Sequence, residues 1–435
     1  MKSIQYQKGW TPTHCIASLR TQQMKLTALI ISIIPFIVTL FTSNAKAEDW
    51  PQWRGSNRDG ISKENNLLKE WPKGGPPLIW KAKGLGIGFS SLAVVKGTIY
   101  TLGDLKDGSY TIALDEKNGA LLWKTKIGDS GGHRGYPGTR STPTVNEGQI
   151  FALNQHSDLV CLNADTGKLI WQKNLVSDFG GKMMSGWKYS ESPLVDNDQV
   201  ICTPGGKNGT IVALNRKTGE KIWQTKEWTD TAAYSSIVIA TIHGTRQYVQ
   251  LTGSSVAGVD PDTGGILWKA NRKGQTAVIP TPVITGDIVF VTSGYGVGCN
   301  GFKIKENGGK WSSEEIYANK TIANHHGGVV LVDGHVYGST GSTFRCIELE
   351  SGMEVFKERS AGKGSTLYAG NRFILRSEKG PVALIKATPK GMTEISQFEQ
   401  PYRSKYKAWP HPVVANGNLY LRDQDILLCY KIREN

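Results

Sequence analysis

The stretch ALDEKNGALLW, Ala113–Trp123, decides the fold because it comes back. CLNADTGKLIW (161–171), ALNRKTGEKIW (213–223) and GVDPDTGGILW (258–268) superimpose on it, each with Trp eight positions after an Asp or Asn. GFKIKENGGKW (301–311) and CIELESGMEVF (346–356) keep the frame more weakly, with Phe356 in the Trp place of the second. Trp80 lies 43 residues before Trp123, and Phe398 lies 42 beyond Phe356. Trp80, Trp123, Trp171, Trp223, Trp268, Trp311, Phe356 and Phe398 thus mark eight units of about 40–50 residues. A period of that size signals small supersecondary units that bury their faces only against each other.

Each unit reads as four short strands. In 140–175, STPTV, QIFALN, LVCLN and LIWQKN alternate apolar and polar residues and are separated by turns rich in Gly, Asn and Asp. Gly167 is expected to take the positive φ of a tight hairpin. The fold class is therefore all-β, an eight-bladed β-propeller of four-stranded antiparallel blades. The last unit supplies LLCYKI (427–432) and lacks a Trp-bearing fourth strand, while PPLIWKAK (76–83) is a spare one at the front. Pairing the two closes the ring. The repeated aromatics are read as packing between blades rather than as sugar platforms. Cys161, Cys346 and Cys429 fall in the slot of Ala113 and Ala213, in separate blades, and are read as small core residues with no disulfide.

The chain has 435 residues, 51 Gly, 13 Trp and a net charge of +14. Apolar residues at 39% exclude a disordered polyelectrolyte. LTALIISIIPFIVTLF (26–41) follows Lys25 and precedes Ala45-Lys46-Ala47, the pattern of a secretory signal with its cleavage site. Sixteen residues are short for a membrane span, so no span is expected after cleavage. Residues 1–23 do not resemble a targeting segment, so Met24 is read as the true translation start. The organisation expected is a signal region 1–47, an N-terminal extension 48–75 and a propeller 76–435. Loss of the five basic residues in 1–47 lowers the charge to +9 over 388 residues. No block of five or six basic residues exists, so the excess reads as a solvated surface and nucleic acid is not an expected partner.

The A-x-D-x-x-T-G-x-x-x-W repeat resembles the pyrroloquinoline-quinone-type (PQQ-like) propeller repeat of quinoprotein alcohol dehydrogenases and of BamB-type outer-membrane assembly factors. The opening DWPQWRGSNRDGIS (49–62) resembles that of exported PQQ-like repeat proteins. The dehydrogenases imply PQQ with calcium as cofactors, beside a vicinal Cys-Cys pair. No Cys-Cys occurs here. BamB-type factors are lipoproteins, and no Cys follows the apolar run, so a lipoprotein is not expected. The leading expectation is an exported, periplasmic or envelope-associated binding and assembly scaffold, with an envelope protein or a small-molecule or polymer ligand as partner. The alternative is a PQQ-dependent oxidoreductase using the central funnel. Catalytic and metal-ligating residues are not assigned.

In a propeller the first strand of each blade lines the axis. Aligning the eight lead-in segments puts Phe89, Arg140, Ser190, Tyr234, Ile279, His326, Gly364 and Trp409 at one phase, with His411 two steps further and Glu191 and His325 adjacent. Arg140, Glu191, Tyr234, His325, His326, Trp409 and His411 are therefore the candidate funnel residues. His325-His326 is a weak metal pair, because strand neighbours point to opposite faces. Three Gly-rich loops, 128–140, 177–192 and 293–301, are long enough to overhang the funnel, with His133 and Arg134 in reach of it.

Overall fold

The computed structural model describes residues 48–434, and the export reading of 1–47 lies outside them. Among the described residues the regular elements are strands, and none is a helix long and apolar enough to cross a membrane. Eight sheets follow one another, seven with four consecutive strands paired in sequence order, one of these seven carrying Ile61–Ser62 as a fifth strand, and one completed from the front of the chain. Their first strands are Ala93–Val95, Thr144–Asn146, Leu194–Asp196, Val238–Ile242, Val283–Thr285, Val329–Val332, Gly364–Ala369 and Val413–Ala415. We number the blades 1 to 8 in that order. Blade 8 takes its fourth strand from the front of the chain: Leu78–Lys83 pairs antiparallel with Ile426–Lys431, placing Trp80 opposite Cys429. The ring is an eight-bladed β-propeller closed by strands from both ends.

The repeat motif is explained by one contact made over and over. Asn163 accepts the amides of Asp165 (3.1 Å) and Thr166 (2.9 Å) on its side-chain oxygen, which folds the hairpin turn. Gly167 closes that turn at φ 70°, and a Cβ there would lie 2.5 Å from the Trp123 ring of the preceding blade. Only glycine meets both demands. The Trp123 indole then donates to the Ala164 carbonyl in the same turn (3.1 Å). Trp80 repeats this on Glu116 (3.0 Å), Trp171 on Arg216 (2.8 Å) and Trp223 on Pro261 (3.0 Å). Each indole thus buries its body between blades and satisfies its N–H on the next blade. The core lies between sheets: Phe151, Leu153, Cys161 and Trp171 of blade 2 pack on Val200, Cys202, Val212 and Leu214 of blade 3. The five described cysteines are buried in these layers and unpaired.

Two of the repeat marks are corrected. In blade 5 the residue opposite Gly301 is Tyr317, not Trp311, which sits opposite Glu306 near the hairpin tip. The Gly298–Asn307 and Lys310–Asn319 strands run ten residues each, so the turn lies further out than the motif spacing assumes. Tyr317 takes the interblade role: its hydroxyl donates to the Leu349 carbonyl (2.7 Å), and Gly352 packs on its ring. In blade 7 the bulge that follows each aromatic pair elsewhere leaves Ser396 opposite Leu384. Phe398 lies further along and packs edge-on to Trp71 (5.4 Å), whose amide donates to Ser396 Oγ (3.0 Å). The extension thus brings Trp71 and Gly75 against Phe398, the buried aromatic of blade 7.

Candidate functional site

The lead-in segments converge on a cavity of about 360 Å³ at one mouth of the axis. Seven of the eight residues at the aligned phase line it: Phe89, Arg140, Ser190, Tyr234, Ile279, His326 and Trp409. Gly364 does not, and its neighbour Lys363 does. His325 and His411 line it as well.

Trp409 is the centre of an aromatic cluster. Tyr136 stacks on it at 4.7 Å and Phe89 lies at 4.8 Å, with Trp187 at 6.4 Å. The three Gly-rich loops each deliver one ring to the cavity wall, Tyr136, Trp187 and Tyr295. His133 stacks flat on Trp187 at 3.7 Å, bracing that ring. The Arg140 guanidinium lies 5.5 Å from Phe89 and 5.8 Å from Trp187, within cation–π range, and is oriented by the carbonyls of Gly138 and Tyr136. Burial lowers its pKa to about 10, so it stays cationic at neutral pH.

Glu378 is the one carboxylate among the lining residues. It accepts the Trp409 indole N–H (3.1 Å) and sits between the ammoniums of Lys363 (3.4 Å) and Lys407 (3.6 Å). Burial acts to raise its pKa, but the indole and the two lysines hold the carboxyl below its usual value. Three cations against one anion leave the wall positive. The imidazoles add no charge. Burial, helped by Lys363, takes His325 down to about 4, and burial with Arg54 takes His411 to about 3. His326 is lowered as well, by burial first and then by His325. His411 donates Nε2–H to the His326 carbonyl (2.8 Å), which fixes its tautomer. His326 is 6% exposed and its own Nε2 has no partner among the described residues. A buried ring nitrogen without a partner at a cavity wall is a hydrogen-bonding point for a ligand.

Glu191 does not belong to this site. Its side chain is buried away from the cavity, accepting the Thr203 amide (2.7 Å) and hydroxyl (3.0 Å). Burial pushes its carboxyl up to about 8. The His325-His326 argument also changes: residues 323–326 are not strand, and both rings face the cavity with their Nδ1 atoms 3.2 Å apart. Among the described residues no three His, Cys, Asp or Glu side chains gather to hold a metal. Calcium takes six to eight oxygens, and the single lining carboxylate is already held by two lysines. The residues present do not fit the calcium-assisted quinone site of the dehydrogenases.

The sequence model of the family described as outer membrane protein assembly factor BamB matches residues 107–358, more than half of the chain. The chain belongs to that family. The BamB of Burkholderia pseudomallei is 22% identical over 318 residues, covering 70% of this chain and 75% of that one. The dehydrogenase subunit of the quinone alcohol dehydrogenase of Acetobacter aceti is 24% identical over 60% of this chain and 34% of its own length. A europium-containing methanol dehydrogenase shares the fold, with a TM-score of 0.61, 12% identity and coverage of 86% and 89%. The BamB family match thus agrees with the repeat arithmetic on the propeller.

Sequence phase did not reach the residues that come from outside the lead-in segments. Tyr136, Trp187 and Tyr295 sit on loops without a repeat mate. Glu378 and Lys407 flank the seventh blade's hairpins, and Trp53 comes from the extension. The Gly-rich composition of the three loops was the one signal available for the first group.

Proposed function

We propose that this chain is an exported, envelope-associated propeller that acts by binding, with the central cavity as its ligand site and the ring as a scaffold for envelope partners. The observation that carries the reading is the cavity wall: flat aromatic rings, a surplus of cations from Arg140, Lys363 and Lys407, and neutral imidazoles. Such a wall suits a small, flat anion, whose ring stacks and whose acid groups meet the guanidinium and ammonium heads. Membership of the BamB family and the apolar run at 26–41 support the envelope location.

The alternative, a PQQ-dependent oxidoreductase, is favoured by the quinoprotein relatives, and the lack of a calcium donor set speaks against it. One experiment separates the two. Purified protein is titrated with PQQ, with and without calcium, following tryptophan emission and the reduction of an artificial electron acceptor over a panel of alcohols and aldoses. The expected result is saturable quenching that does not need calcium, weakened in Arg140→Ala, with no dye reduction. Calcium-dependent dye reduction that is lost in Arg140→Ala overturns the binding reading.

A further inference from the structure

The segment Trp50–Ser62 precedes the first blade and touches all eight. Trp50 exchanges both backbone hydrogen bonds with Val94 of blade 1 (2.7 and 2.8 Å), and Pro51 accepts the Val145 amide of blade 2 (2.9 Å). Arg58 donates to the Ser192 carbonyl (3.1 Å) and the Pro193 carbonyl leading into blade 3, and to the Ile237 carbonyl leading into blade 4 (2.7 Å). The Trp53 indole donates to Thr281 Oγ1 before blade 5 (3.0 Å), and Arg54 donates to the Val329 carbonyl of blade 6. Ile61 and Ser62 pair in parallel with Tyr368 and Ala369 of blade 7. The Trp53 ring lies 4.4 Å from His411, just before blade 8.

The coil that allows this is tight. Arg54 and Arg58 both take φ 60°, and Gly55 takes φ 86° beneath the Trp50 ring, where a Cβ would lie 2.9 Å from it. Arg54 and Arg58 are buried, and their guanidiniums end on carbonyls at blades 3, 4 and 6, so this segment crosses the centre of the ring. Trp53 is the part of it that reaches the cavity wall, half-buried between His411 and Thr281.

We propose that Trp50–Ser62 is an axial plug that makes the cavity blind, and that Trp53 is its floor, the face on which a flat anionic ligand stacks. The proposal rests on the reading of the cavity as a ligand site. It adds that one contact surface of that site comes from the N-terminal extension and not from a propeller repeat. A ligand then enters and leaves by the mouth beneath Tyr136 and Trp187, and the depth of the cavity is set by the size of residue 53.

The test uses the full chain and 8-anilinonaphthalene-1-sulfonate, a flat aromatic anion, read by dye emission and by quenching of tryptophan. Wild type is expected to saturate at one site. Trp53→Ala and Arg140→Ala are each expected to weaken binding by about tenfold or more, the loss typical of removing a buried aromatic or Arg anchor. Trp53→Leu keeps apolar bulk in the plug without the flat face and is expected to weaken binding as well. Its melting temperature is read alongside, in case the alanine variant does not fold. If Trp53→Leu binds like wild type while Arg140→Ala does not, the floor role is overturned and the cavity reading stands. If wild type shows no saturable site, or Arg140→Ala binds as wild type does, the cavity reading falls and this proposal falls with it.

Discussion

The rim of the propeller and its axis are built on opposite rules. At the rim, one contact is repeated: an aromatic from one blade lies on the turn glycine of the next and donates to a carbonyl beside it, as Trp80, Trp123, Trp171, Trp223 and Tyr317 all do. At the axis the aligned phase carries a different side chain in every blade, Arg140 in blade 2, Tyr234 in blade 4 and Trp409 in blade 8 among them. The axis also buries the ionisable side chains of Arg54, Arg58, Glu191 and His411. Repetition makes the ring, and its absence at the centre leaves room for a site.

That contrast is sharpest in acid. The imidazoles of His325 and His411 have folded pKa values of about 4 and about 3, below the ordinary 6.5. Groups depressed in this way contribute stability above pH 6.5 and lose it as pH falls toward their folded values. The melting temperature is therefore expected to fall between pH 6.5 and 4, and to fall less steeply in His411→Gln, which has no proton to take up. Equal slopes for the two proteins would place the acid sensitivity elsewhere than the axis.

The rim is broken by Trp171→Ala. This side chain is 8% exposed and packs between blades 2 and 3. Its loss is expected to cost about 3–5 kcal/mol in urea unfolding, while binding by the folded protein stays at the wild-type level. A matching drop in affinity would mean that rim and axis are not independent. The smallest effect tests the corrected repeat mark. Tyr317→Phe removes the bond to Leu349 and is expected to cost about 1 kcal/mol. Trp311→Phe, at the hairpin tip, is expected to stay within about 0.5 kcal/mol of wild type. The reverse order would restore Trp311 to the interblade role.

The same contrast explains what could be read from the sequence. Rim contacts depend on neighbours a fixed number of residues apart, so Trp, Gly and the turn Asp or Asn leave a periodic trace, and the closing strand around Trp80 could be found by counting. The trace misled only where a hairpin changed length, at Trp311, or where the extension packs against a blade, at Trp71 beside Phe398. At the axis the phase placed Arg140, Tyr234, His326 and Trp409, because each lies three or four residues before its strand. It misplaced Glu191, whose carboxylate is taken up by the amide and hydroxyl of Thr203. Trp53 was beyond reach: it is 228 residues from Thr281, and nothing local in WRGSNRDG encodes that meeting.

The clasp between Leu78–Lys83 and Ile426–Lys431 also sets the order of events in time. Seven sheets are assembled from consecutive strands and form as local hairpins, but the eighth waits for partners nearly 350 residues apart. Closing a loop of that length is the slow step of a topology otherwise made of short contacts. Until it happens, the Cys429 face of blade 8 lacks its fourth strand, so the ring is expected to close only when the last strand is free to return to the first.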